Sequence, residues 1–280
     1  MSRDHTVTAQ ASLHGLPREL RLQIYQHVFA LNLDCTILEA WKDEHTLAHG
    51  FRSVPELNPD ARLVVPWVNL MLTCKDFAIE LRSYMDEKAF LESEQNTTWS
   101  LDLEAKRGGM TLGYTTWRRI PCHPKDLRVL EASYNTKRGF QAWGDGGPHG
   151  ITSGLYQTLN SVVHCGPRFD CTSLLEVPIH LAELKIKVES RDDPKKEYDG
   201  DHYMSLSDRE TNPETTLYAL GSIVGQIVNT GVLRGFVDMI SVCSADKTLS
   251  WTPREVKGEG IPEYWNRYGF EWGEKAFSER

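Results

Sequence analysis

The chain has 280 residues, 40% apolar and 25% charged, a balance that excludes a largely disordered polypeptide. Its 31 basic and 39 acidic residues leave a net charge of −8, which speaks against nucleic acid or an anionic membrane as the main partner. The opening Met1-Ser2-Arg3-Asp4-His5-Thr6 has no apolar signal core, and the longest mostly apolar run, Leu217 to Val228, is too short to span a bilayer. An intracellular location, cytoplasmic or nuclear, is therefore expected, with cysteines 35, 74, 122, 165, 171 and 243 as reduced thiols.

Residues 1–12 are polar and read as a loose N-terminus. A first helix follows, to about Leu31, opened by Leu16-Pro17. Pro17 suits the first helical turn, where its missing N–H has no partner to lose. Leu16, Leu20, Ile24 and Val28 recur every four residues on one face, which Tyr25 and Phe29 widen; Arg18, Glu19, Arg21 and Gln23 stay polar. So short a helix needs a partner surface, either the protein's own core or another protein.

Residues 32–66 read as irregular, broken by Pro55, Pro59 and Pro66, with a short strand near Thr36–Leu38. The helical period returns at Trp67. Leu70, Met71, Cys74, Phe77, Ala78, Leu81 and Met85 continue the stripe, which predicts one long helix. Thr97 to Leu103 alternates with strand period, and Leu127 to Ala132 is a second strand candidate. Gly139 to Gly150 reads as a glycine-rich loop leading into a helix from Ser153 to His164, ended by Gly166-Pro167.

Leu184-Lys185-Ile186-Lys187-Val188-Glu189 alternates over its whole length, as a half-buried strand does. Residues 190–212 read as an exposed loop. Asn212 then reads as a helix cap, Pro213 as the first turn and Gly231 as the C-terminal stop. A last strand is expected from Phe236 to Val242, and an aromatic tail with Trp251, Tyr264, Trp265, Tyr268, Phe270 and Trp272 is expected to pack back on the body. These elements predict an α+β class: a helical N-terminal module over 13–90, interrupted at 32–66, followed over 91–280 by a mixed α/β body with helices packed on a sheet.

Three patterns in the chain bear on chemistry. The loop Gly144-Asp145-Gly146-Gly147-Pro148-His149-Gly150 precedes a helix and offers backbone N–H groups to an anion, but it lacks the Lys-Ser/Thr ending of a nucleotide-binding loop. Gly144, Asp145, Gly146, Gly147 and His149 therefore form a ligand-loop candidate set against a structural turn. Cys122-His123 and His164-Cys165 lack the paired spacing of a zinc site, so no metal is expected. No G-x-S-x-G elbow or H-E-x-x-H pair occurs, so neither a catalytic residue nor a cofactor is assigned.

The pattern Leu16-Pro17-x-Glu19-Leu20-Arg21-x-x-Ile24-Tyr25-x-x-Val28-Phe29 resembles the opening of the F-box. It is more closely similar to the F-box-like N-terminus of a large class of fungal proteins of uncharacterised function. In that class a second helix carries a Thr-Cys-Lys/Arg segment and a downstream Glu, here Thr73-Cys74-Lys75 and Glu80. Trp117 to Pro124, Trp143 to Pro148, Leu155 to Asn160 and His164 to Phe169 also look like recurring segments of these proteins. The resemblance implies a non-catalytic adaptor: a Skp-type protein bound through Leu16, Pro17, Leu20, Ile24 and Val28, a cullin ubiquitin ligase beyond it, and a protein target held by the C-terminal body. The 32–66 stretch departs from a compact F-box, in which the two helices are continuous. Two other readings remain: a self-contained scaffold, in which the same helix packs internally, and an enzyme with its site near 139–150.

Overall fold

In Leu184–Val188 every second side chain is apolar, and the strand that forms there buries Leu184, Ile186 and Val188 while its lysines stay half-buried. The same alternation organises the whole sheet in a computed structural model that describes residues 13–33, 65–103, 116–135, 150–167, 174–190, 212–255, 261 and 271–273. The strands are β1 (Thr98–Leu103), β2 (Thr116–Arg119), β3 (Val129–Asn135), β4 (Leu181–Glu189), β5 (Val237–Ser244) and β6 (Lys247–Trp251). They form a single sheet in the order β2-β1-β3-β4-β5-β6. The four central strands run parallel, and the edge strands β2 and β6 are antiparallel to their neighbours.

The register lines up two apolar rows across the sheet. Trp99, Leu130, Leu184, Ile240 and Trp251 stand side by side, as do Leu101, Ala132, Ile186, Val242 and Leu249. The alternate row, Ser100, Glu131, Lys185, Ser241 and Ser250, belongs to the opposite face. There Lys187 pairs with Glu131 at 2.7 Å, and the Ser241 hydroxyl donates to Glu183 at 2.5 Å. One face is thus an apolar core, and the other carries polar side chains, among them the Lys187–Glu131 and Ser241–Glu183 pairs.

Two crossover helices cover the apolar face. Helix α5 (Gly150–Cys165) connects β3 to β4, and α6 (Pro213–Asn229) connects β4 to β5. The two crossovers step across the sheet in the same direction, so a common handedness places both helices on one side. They touch each other, and they bury Leu155, Leu159 and Val162 on α5 and Leu220, Val224 and Ile227 on α6. The expected cap of α6 forms: the Asn212 side chain accepts from the Glu214 N–H at 2.8 Å, and Gly231, at φ 77°, follows the helix end.

The N-terminal module holds α1 (Arg18–Ala30), α2 (Pro66–Thr73), α3 (Lys75–Met85) and the short α4 (Lys88–Glu92). The predicted long helix is corrected here. The apolar stripe from Trp67 to Met85 is continuous in sequence, but the backbone breaks at Cys74, which is extended at φ −159° and ψ 163°. Each half takes its own partner: Trp67 of α2 donates from Nε1 to the Ile120 carbonyl at 2.6 Å, while α3 docks on α1 through Glu80. Phe29, Trp67, Tyr84 and Phe90 form an aromatic cluster with ring centroids 5.0 to 6.1 Å apart.

The module joins the sheet at its β2 edge, where the Leu33 N–H donates to the Arg118 carbonyl at 2.7 Å. A single apolar cluster then runs from Tyr25 and Phe29 through Trp67 to Trp99 and the sheet. Strands β2 and β6 and helix α4 add to the expected elements. At the far end, the Asn160 side chain of α5 clasps the backbone of Glu271 and Gly273, and Trp272 stacks edge-on to Tyr156, so this part of the aromatic tail does fold back. The proposed strand at Thr36–Leu38 and the tail residues 264–270 lie outside the described residues.

Candidate interaction surface

Helix α1 starts one residue later than expected. Pro17 is the N-cap at φ −52° and ψ 148°, and its carbonyl accepts from the N–H groups of Leu20 at 3.1 Å and Arg21 at 3.2 Å. Proline suits this position because it has no N–H to leave unsatisfied at a helix start. Glu19 stands in the first turn, where the helix dipole favours a negative charge, and His27 in the last turn.

The face turned to the core is not centred on the aliphatic row. Tyr25 and Phe29, at 0% and 3% exposure, are the residues that point inward. Leu16, Ile24 and Val28 are half-buried, Pro17 is exposed, and Leu20 is 45% exposed. Successive residues turn about 100° around a helix, so burying the two larger rings rotates the four-residue row toward the edge of the contact. Leu31, just beyond the helix end, is half-exposed. Of the five residues expected to bind a partner, Leu20, Ile24 and Val28 share one flank of α1, with Leu20 the most exposed of the three, and Leu16 and Pro17 immediately precede the helix.

A polar joint holds that flank in place. Arg21 donates from Nε to Glu80 Oε2 at 3.0 Å and from Nη2 to Oε1 at 3.0 Å, a bidentate pair between α1 and α3. Tyr25 donates its hydroxyl to Glu80 Oε2 at 2.9 Å, and Arg21 Nη1 reaches back to the Leu16 carbonyl at 2.5 Å. The Arg21 hydrogen bonds hold the Glu80 carboxyl below the usual carboxylate range. Burial, reinforced by the bond to Glu80, pushes the Tyr25 phenol up to about 12. Arg18 adds a looser contact to Glu87 at 3.5 Å.

Arg21, Tyr25 and Glu80 were not among the residues expected to define the surface. Their signal lay in the motif itself, since Arg21 and the downstream Glu80 belong to the same pattern as Leu16-Pro17. Spacing alone could not pair them, because they stand 59 residues apart.

The other candidates separate cleanly. Gly144, Asp145, Gly146, Gly147 and His149 lie outside the described residues. Cys122 is buried, with its thiol pushed up to about 12, and burial lowers the adjacent His123, whose ring stands edge-on to Trp67. Among the described residues no group of three His, Cys, Asp or Glu side chains is arranged to hold a metal ion, and no helix is long and apolar enough to cross a membrane.

Fold and surface together define a mixed six-stranded α/β sheet protein with a helical module on one edge and an apolar flank on its first helix. No protein-family model matches the sequence, and no curated protein and no solved structure matches it.

Proposed function

We propose that this chain is a non-catalytic protein-interaction module of F-box type, which docks a Skp-type adaptor through α1 and holds a second protein on its α/β body for a cullin ubiquitin ligase. The observation that carries the reading is the split character of α1. Tyr25 and Phe29 anchor the helix in the core, while Ile24 and Val28 stay half-buried beside them and Leu20 keeps 45% of its surface in solvent. The Arg21–Glu80 clamp fixes the α1 flank without using it. The resemblance of Leu16-Pro17-x-Glu19-Leu20-Arg21 to the F-box opening supplies the identity of the partner.

The test is co-purification of the intact chain with a purified Skp-type adaptor, with Leu16 and Pro17 changed together to Ala and, separately, Leu20→Asp. Capture by the native chain that both variants lose, at unchanged thermal stability, is the expected result. A well-folded native chain that captures no adaptor overturns the reading.

The deep burial of Tyr25 and Phe29 favours a second reading, a self-contained scaffold in which α1 serves only the core. In that case adaptor binding is absent and Leu20 carries no function at all.

A further inference from the structure

We propose that Cys74 is a thiol modification site, a cysteine activated by His14 for reaction with small oxidants of the peroxide class. His14 Nε2 stands 3.2 Å from Cys74 Sγ, although the two residues are 60 positions apart. The imidazole is held in place: it stacks on Phe77 with ring centroids 4.2 Å apart and planes 4° from parallel. Nucleophile, base and a third group that orients the base thus stand in one array.

Position adds to the pairing. Cys74 is the N-cap of α3, an 11-residue helix, and its side chain makes no capping bond to the helix backbone. The Cys74 Sγ is thus engaged by His14 rather than by the helix backbone. The thiol is half-buried and the imidazole exposed, so a small reagent has access to the pair. The contrast with the other described cysteines is sharp. Cys122 and Cys165 are buried, and burial raises the Cys243 thiol.

The reaction balances without a metal. His14 Nε2 takes the Cys74 thiol proton, and the thiolate attacks one oxygen of hydrogen peroxide. The S–O bond forms as the O–O bond breaks, and the departing hydroxide takes the proton back from the imidazolium to leave as water. Sulfur loses two electrons, peroxide gains them, and Cys74 becomes a sulfenic acid that a second thiol can reduce.

The test uses the full chain with a limiting alkylating agent and, after hydrogen peroxide, a sulfenic-acid trap, each site being read by mass spectrometry. Cys74 is expected to label about tenfold faster than Cys243 and to be the described cysteine that traps as sulfenic acid. His14→Phe keeps a ring to stack on Phe77 and removes the base, and should slow Cys74 labelling by about tenfold or more. Exposure alone would leave that rate unchanged. The proposal is overturned if native Cys74 labels no faster than Cys243, a comparison that needs no variant, or if a folded His14→Phe or His14→Gln chain keeps the native rate.

Discussion

Arg21 closes two nitrogens of its guanidinium on the Glu80 carboxylate, Nε to Oε2 and Nη2 to Oε1, each at 3.0 Å. This contact ties α1 to α3. The planar fork matches a carboxylate in a way that an ammonium does not. Arg21→Lys should therefore loosen the joint although it keeps the charge, and the melting temperature should fall relative to the native chain.

Glu80 makes stability depend on acid. Its pKa in the folded chain lies below the ordinary value of 4.5, chiefly through the Arg21 hydrogen bonds. The stabilisation it contributes is therefore complete above pH 4.5 and is lost as the pH falls through the lower folded-state value. Tyr25 works at the alkaline end: its phenol is raised from 10.0 to about 12, so its contribution is present below pH 10 and is lost as the pH rises through about 12. Melting curves across pH should show both slopes, and Glu80→Gln should flatten the acid one. An unchanged acid slope in that variant would remove Glu80 from the account.

The two sides of α1 should separate under mutation. Phe29→Ala removes a buried ring and should cost about 3–5 kcal/mol in denaturant unfolding, as large core truncations do. Leu20→Ala, at an exposed position, should stay within about 0.5 kcal/mol of native. A loss at Leu20 equal to that at Phe29 would mean that the flank is core after all.

Gly221 brings α6 close against β6. A Cβ placed on Gly221 would stand 2.6 Å from Leu249 Cδ1 and 3.3 Å from Trp251 Cη2. Gly221→Val should push α6 away from β6 and destabilise the chain by about 1–3 kcal/mol, the usual cost of overpacking. Thermal unfolding checks it, and a stabilised variant would contradict the close approach.

On the polar face, Lys187 and Glu131 pair across neighbouring parallel strands at 2.7 Å while both stay partly solvated. A double-mutant cycle with Lys187→Met and Glu131→Gln should give a coupling of about 0.5 kcal/mol, because water screens the pair and holding two long side chains costs entropy. A coupling of several kcal/mol would show that the face is drier than its exposure indicates.

The elements legible beforehand are those whose signals are local. Asn212, Pro213 and Gly231 delimit α6 because capping chemistry acts within one helical turn. Leu184 to Glu189 announced a strand because alternate residues of one segment take opposite faces. Strands β2 and β6 were missed for equally local reasons: they have only four and five residues, and the turn between Ser244 and Lys247 carries Ala245 and Asp246 rather than an Asn-Gly signal. The break at Cys74 was missed because neither proline nor glycine stands there, and a helical stripe reads the same whether one helix or two present it.

The candidate surface divides along the same line. The sequence by itself determined the α+β class, the Leu-Pro start of α1 and the set of apolar residues on it, since helix periodicity and capping depend on neighbours in the chain. Only the tertiary structure decided that Tyr25 and Phe29 take the core while Leu20 stays in solvent, that Arg21 meets Glu80, and that His14 meets Cys74. Those contacts join residues 55 to 60 positions apart. They depend on how α1 and α3 pack, and local periodicity fixes the faces of each helix without saying which face meets which.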